Sequence, residues 1–216
     1  MKIRYVILLG ISVLLVQTIL TAGETNKLPI ASSGNTIDLT VTNSSYTTAS
    51  KLKVEPVNVP AWITFAKSVN YLKDIKPNQS LTVTFTFAVD KTAPVLKDTV
   101  LKFRVTTADS ESWEKKIAIS VSPPDKFELS QNYPNPFNPA THFDVMLPRE
   151  TNLEMIVYNV FAQNIKTLVN ESRSAGYQMI EWNGTTESGT PASSGVYFVR
   201  MKAGNYSSIK KIMLMK

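Results

Sequence analysis

His142 is the single imidazole in 216 residues, and the chain has no cysteine. A Cys–His dyad is therefore impossible, and a Ser–His–Asp triad would have to be built around His142. Zinc sites draw mainly on Cys and His, so one histidine cannot fill one. The carboxylates of Asp109 and Glu111, and of Glu181 and Glu187, fall in turns or on strand faces. Solvated side chains are expected there, rather than the facing acid and base of a hydrolase. No glycine-rich phosphate loop occurs, and no loop has the dense aspartate spacing of an EF-hand, which leaves only a looser oxygen-ligand calcium site open. The aromatic best placed to recognise a ligand is Trp62, in Pro60-Ala61-Trp62. Its ring could stack on a sugar, or fill a sandwich core that needs large apolar residues. Trp113 and Tyr71 are further candidates for a carbohydrate- or partner-binding face. These residues imply no enzyme, no metal and no cofactor.

The elements that would position such residues are strands. Alternate side chains of a strand share one face. In this chain Leu81, Val83, Phe85, Phe87 and Val89 alternate with Thr82, Thr84 and Thr86. The same period runs through Ile37-Leu39-Val41, Leu101-Phe103-Val105 and Ile117-Ile119-Val121. Turn chemistry separates them at Lys76-Pro77-Asn78-Gln79, Asp90 to Pro94 and Ala108-Asp109-Ser110-Glu111. Short strands at this spacing predict an antiparallel sandwich from Leu28 to Ser122. Its layout is similar to the Ig-like modules that bacteria place before a surface anchor. Pro123-Pro124 removes two amide donors and fixes an extended backbone, which predicts a connector over 123–126. A second sandwich is expected from Phe127 to Lys216, with seven strands.

The N-terminus reads as an export leader. Lys2 and Arg4 precede the apolar run Tyr5 to Leu20, and the small residues Thr21, Ala22 and Gly23 follow. This predicts a signal-peptide helix over 1–23, cleaved near Gly23. The alternative is a retained transmembrane anchor, disfavoured by the missing basic stop-transfer flank. Without cysteine, no lipid can be attached to a mature N-terminus. The net charge is +6, and loss of Lys2 and Arg4 lowers it by two, to +4. The lysines are scattered, which argues against a nucleic-acid surface. Zero cysteines in an exported chain leave stability to core packing and sheet hydrogen bonds.

The last third carries the most specific pattern. Tyr133-Pro134-Asn135-Pro136-Phe137-Asn138-Pro139 is followed by Ala175-Gly176-Tyr177, Trp182-Asn183-Gly184, Gly189 and Ser194-Gly195-Val196-Tyr197-Phe198, and the chain ends with Lys210, Lys211 and Lys216. In that order, over residues 127–216, it resembles a type A C-terminal sorting domain of the bacterial type IX secretion system. The Ig-like domain of flagellar hook-capping proteins shares the tryptophan loop and the glycine–tyrosine strand. The Asn-Pro-Phe-Asn start and the lysine end favour the sorting domain.

The resemblance implies a secreted, non-catalytic protein carried through the periplasm and across the outer membrane to the cell surface or exterior. It implies as partners the type IX machinery and a sortase-like transpeptidase that attaches cargo to surface glycolipid. The sorting-signal residues it implies are Asn135, Pro136, Phe137, Asn138, Gly195, Tyr197, Lys210, Lys211 and Lys216. The prolines predict an extended segment unable to join a central strand, with Phe137 plugging a core edge. Gly195 is expected to permit close backbone approach, Tyr197 to bury its ring with its hydroxyl bonded, and the lysines to face solvent. The chain departs from the family at two positions. Tyr158-Asn159-Val160-Phe161-Ala162 lacks the usual glycine, so a positive φ at Ala162 would cost about 1 kcal/mol. His142 stands where a smaller or β-branched residue is common.

Overall fold

The computed structural model describes residues 1–9, 25–108 and 110–215, apart from the side chains of residues 8 and 9. All its regular elements are strands, with no helix among the described residues. The chain divides into two compact units, Met1–Ser122 and Pro123–Lys216.

The first unit contains β1 (Lys2–Leu9), β2 (Asn26–Pro29), β3 (Ser32–Asn43), β4 (Leu52–Val57), β5 (Ile63–Phe65), β6 (Asn70–Leu72), β7 (Ser80–Val89), β8 (Asp98–Thr106) and β9 (Ser112–Ser122). They form a four-stranded sheet, β1-β3-β7-β5, and a five-stranded sheet, β2-β9-β8-β4-β6. The alternation read in β3, β7, β8 and β9 sets what lies between them. Ile37, Leu39, Val41, Phe85, Phe87, Leu101, Phe103, Ile117 and Ile119 are all buried in one core. Phe65 stands edge-on to Phe85 and Phe103, with centroids 5.9 and 5.8 Å apart, and Phe85 meets Phe103 at 5.1 Å. Each such ring is worth about 1.5–3 kcal/mol of burial. Most ladders are antiparallel, but β1 runs parallel to β3 and β2 parallel to β9.

The N-terminus departs from expectation. Residues 2–9, expected to begin a leader helix, form a strand, while the remainder of that helix at 10–23 lies outside the described residues. The reason is local pattern meeting a free edge. Ile3, Tyr5 and Ile7 share one face, and Ile3 and Ile7 sink into the core beside Ile37 and Val41.

The second unit contains seven strands: β10 (Glu128–Leu129), β11 (Thr141–Leu147), β12 (Thr151–Tyr158), β13 (Asn164–Arg173), β14 (Gly176–Trp182), β15 (Gly195–Ala203) and β16 (Tyr206–Leu214). A β10-β11-β14 sheet faces a β13-β12-β15-β16 sheet across a core of Phe143, Val145, Leu147, Leu153, Met155, Val157, Val199, Met201 and Ile212. Between β12 and β13 the Asn159 carboxamide oxygen accepts the amides of Phe161 and Gln163, both at 3.0 Å. The positive φ of this turn falls on Ala162, at 60°, where glycine would be unstrained.

Candidate functional site

The implied sorting residues are far apart in sequence, and the fold gathers most of them at one end of the second unit. The Pro-rich segment runs past the outer edge of β16 without becoming a strand. The Phe137 amide donates to the Met213 carbonyl at 3.0 Å, and the Met215 amide donates to the Phe137 carbonyl at 2.9 Å, a single parallel bridge opposite Leu214. The Asn135 carboxamide oxygen accepts the Met213 amide at 3.1 Å. Gln131 Nε2 adds a bond to the Lys211 carbonyl at 2.9 Å. Edge amides and carbonyls of β16 are thus served by the Phe137 backbone and by the Asn135 and Gln131 side chains, in a segment whose prolines have no N–H to donate.

Phe137, 2% exposed, anchors this segment. Its ring lies 5.4 Å from that of Trp182, which meets Tyr197 edge-on at 5.2 Å. The polar ends of both larger rings are bonded: Trp182 Nε1 donates to the Thr185 carbonyl at 2.8 Å, and the Tyr197 hydroxyl to the Ser193 carbonyl at 2.7 Å. Burial raises the Tyr197 phenol above its ordinary pKa, so it remains a proton donor. Beneath the segment, Asn132 is buried, and its Nδ2 donates to the Pro134 carbonyl and to Thr141 Oγ1, both at 2.9 Å. Two shallow grooves flank the pairing. One, of about 460 Å³, is lined by Pro134, Pro136, Phe137, Asn138 and Met215. The other, of about 200 Å³, is lined by Asn135, Pro136, Lys211, Ile212 and Met213.

Asn138 is exposed on the rim, and Lys211, Met213 and Met215 face outward from the terminal strand. Lys210 differs from expectation. It has the parity of Ile212 and Leu214 and is half-buried, because the strand's two-residue period turns it toward the core side. Lys216 lies outside the described residues. Gly195 also differs in its reason. A Cβ there would meet open space, so no close approach requires glycine; its φ of +154° does. The close approach is at Gly184, φ +73°, where a Cβ would stand 2.6 Å from the Pro139 carbonyl oxygen.

The sequence predicts Trp182 as an inward residue that opens the loop holding Gly184. That they support the Pro-rich segment is a long-range contact with no local signature. Glu187 accepts the Thr167 amide at 2.8 Å and lies 3.6 Å from Lys166; that backbone bond first, and the lysine next, hold its carboxyl below the usual range. Asp109 lies outside the described residues. No cluster of three or more His, Asp or Glu among the described residues could hold a metal ion. Trp62 is half-buried and packs on the first core, Trp113 does the same, and Tyr71 stands 74% exposed on β6. His142 pairs with Glu181 across β11 and β14, its ring 6.0 Å from Tyr133.

A sequence model of the FlgD Ig-like domain matches residues 137–207. The second unit contains an Ig-like module. The match spans the strands from β11 to β15 and stops short of Lys210 and Lys211. No curated protein matches the chain in sequence. Among solved structures, the chain is similar to dimeric latent PorU of Porphyromonas gingivalis, at 11% identity and a TM-score of 0.34, over 90% of this chain and 19% of that one. It is similar to PorZ, a surface component of the type IX secretion system of the same organism, at 15% identity and a TM-score of 0.31, over 54% of this chain and 15% of that one. The calcium-binding domain CBD12 of CALX1.1 is similar at 12% identity and a TM-score of 0.35, over 82% of this chain and 76% of that one. Likeness of this extent carries no functional inference. The chain spans about a fifth of the length of PorU. No helix among the described residues is long and apolar enough to cross a membrane.

Proposed function

We propose that residues 127–216 are a type IX C-terminal sorting domain. In this reading the protein is a non-catalytic secreted component, made with a leader that is removed, carried across the outer membrane and attached to the cell surface by a sortase-like transpeptidase. The observation that carries the reading is the pairing of Asn135 and Phe137 with the backbone of Met213 and Met215. It joins the Pro-rich segment and the lysine-bearing terminal strand into one exposed feature. A receptor with an acidic or hydrogen-bonding surface would meet Lys211 beside Met213 and Met215 there, with the Asn135–Asn138 backbone as its border. Tyr197 and Trp182 hold that feature from beneath, and Gly195 starts the strand against which β16 lies.

Removing Lys210–Lys216, or changing Gly195 to isoleucine, is expected to leave the protein in the periplasm of a host with type IX secretion. Lys53→Ala, at the Lys53–Glu55 ion pair of the first unit, is expected to leave surface delivery unchanged. Cell fractionation reads the outcome, with far-ultraviolet circular dichroism to show that the Gly195 variant remains folded. Undiminished surface delivery of the truncated chain would overturn the assignment.

A further inference from the structure

The residues that read as a leader are also a structural strand of the first unit. β1 forms an eight-position parallel ladder with β3, from Lys2 opposite Thr36 to Leu9 opposite Asn43. Inward, Ile3, Tyr5 and Ile7 lie beside Ile37, Leu39 and Val41, and both isoleucines are buried. Tyr5 also reaches the other sheet: its hydroxyl accepts Asn26 Nδ2 at 2.7 Å, the Asn26 amide group donates again to the Ala118 carbonyl at 3.0 Å, and Lys115 lies over the ring at 5.2 Å. Outward, Asp38 of β3 is only 8% exposed, and its carboxylate holds Lys2 Nζ at 3.0 Å and Arg4 Nε at 3.7 Å. Thr84 of β7 donates to the same carboxylate at 2.7 Å. β1 therefore closes the side of the sandwich, satisfies the β3 edge and neutralises Asp38.

Cleavage of the leader, part of the function proposed above, removes all three services at once. What remains is an edge strand of twelve residues, Ser32–Asn43, with unpaired amides and carbonyls. Ile37, Leu39 and Val41 lose their lateral cover, and an inset carboxylate loses its two cations. Long apolar edges invite strand addition. We infer that the outer edge of β3 is a strand-acceptor site, for which β1 is the placeholder in the precursor. Its occupant is an extended segment of another protein that runs parallel to β3. That segment places aliphatic or aromatic residues at three alternate positions against Ile37, Leu39 and Val41, and a lysine or arginine on its other face against Asp38. The apolar row supplies affinity and Asp38 fixes register, because a one-residue slip would turn the cation into the core.

The test uses the full chain with β1 released in place by Ile3→Asp and Ile7→Asp, and as probe a dye-labelled peptide of residues 1–9. Fluorescence anisotropy is expected to show binding to the released chain at least about tenfold tighter than to the wild type, whose edge is filled. Adding Asp38→Asn is expected to weaken it by about fivefold. Hydrogen exchange should show the peptide restoring protection to the 36–43 amides. A folded released chain that does not bind the peptide overturns the inference. So does a released chain that dimerises through β3 and thereby excludes the peptide, which would assign the edge to a second copy. Should the released chain fail to fold, excess peptide is titrated onto the wild type. Faster exchange of the Lys2–Leu9 amides then supports displacement, and unchanged exchange overturns it. Export is not read in any arm, so failure here leaves the sorting assignment standing.

Discussion

Both units have a sheet edge closed by a segment running parallel to it, and they close it by opposite means. In the first unit β1 lies on β3 as a full ladder, held by alternate apolar side chains and an ion-paired aspartate. In the second, the segment at Phe137 touches β16 through one bridge, with one buried ring and polar side chains serving the remaining groups. A ladder is extended by any chain with the right alternation, so it can be replaced. A bridge pinned by a particular Phe, Asn and Gln is specific to its own sequence and cannot be exchanged for a generic strand. The first arrangement suits a removable cover, the second a permanent surface feature.

That contrast breaks most severely at Phe137. Phe137→Ala opens a cavity against Trp182 and is expected to cost about 3–5 kcal/mol in the second unit. Urea unfolding followed by hydrogen-exchange mass spectrometry should place the whole loss in residues 123–216, because the two cores share no side chains in their clusters. Equal loss in both units would mean that they unfold as one. Gly184→Ala drives a Cβ toward the Pro139 carbonyl at a positive φ, and a destabilisation of about 1–3 kcal/mol is expected. The same exchange experiment should show the amides of Phe137 and Met215 opening before the rest of the unit.

Ala162→Gly works in the opposite direction. Relief of the left-handed conformation at Ala162 is expected to stabilise the second unit by about 1 kcal/mol, less the added freedom of the unfolded chain. A raised urea midpoint confined to that unit checks it. The smallest effect expected is on the first unit and depends on pH. The Thr84 hydroxyl first, then Lys2 by hydrogen bond and charge, with Arg4 adding its charge, hold the Asp38 carboxyl below its ordinary pKa. A lowered folded pKa means a contribution that is present above the unfolded value of about 3.9 and lost as pH falls through the folded one. Amides of Lys2–Leu9 should therefore lose protection below about pH 4 before those of β8 and β9 do, and Asp38→Asn should abolish that dependence.

The all-β architecture was legible because period-two burial is a local signal. Val83, Phe85, Phe87 and Val89 can be read as one face without knowing what they face. The positive φ at Ala162 was reached only through the family resemblance, which has glycine at that position, and the left-handed residue of the turn does fall there. The helix expected of the leader is replaced by a strand over residues 2–9. An apolar run after two cations has the composition of a signal helix, and residues 2–9 also alternate well enough to complete a sheet, a choice that composition cannot make. Gly195 and Lys210 show the same limit at single positions: residue type alone did not reveal whether glycine answers a contact or a dihedral angle, or which side of a strand a lysine takes.

The sequence by itself determined two tandem strand-rich segments with Pro123-Pro124 between them, many of the residues of each core, and an inventory with no cysteine and a single histidine. These follow from periodicity, backbone restriction and inventory, all of which are properties of neighbours in the chain. Only the tertiary structure decided that Phe137 meets Trp182, that Asn135 serves the backbone of Met213, that Pro139 leaves room for nothing but glycine at 184, and that Asp38 gathers Lys2 and Arg4. Those contacts join residues from 34 to 78 positions apart, where register between strands, rather than sequence spacing, sets which atoms come within bonding distance.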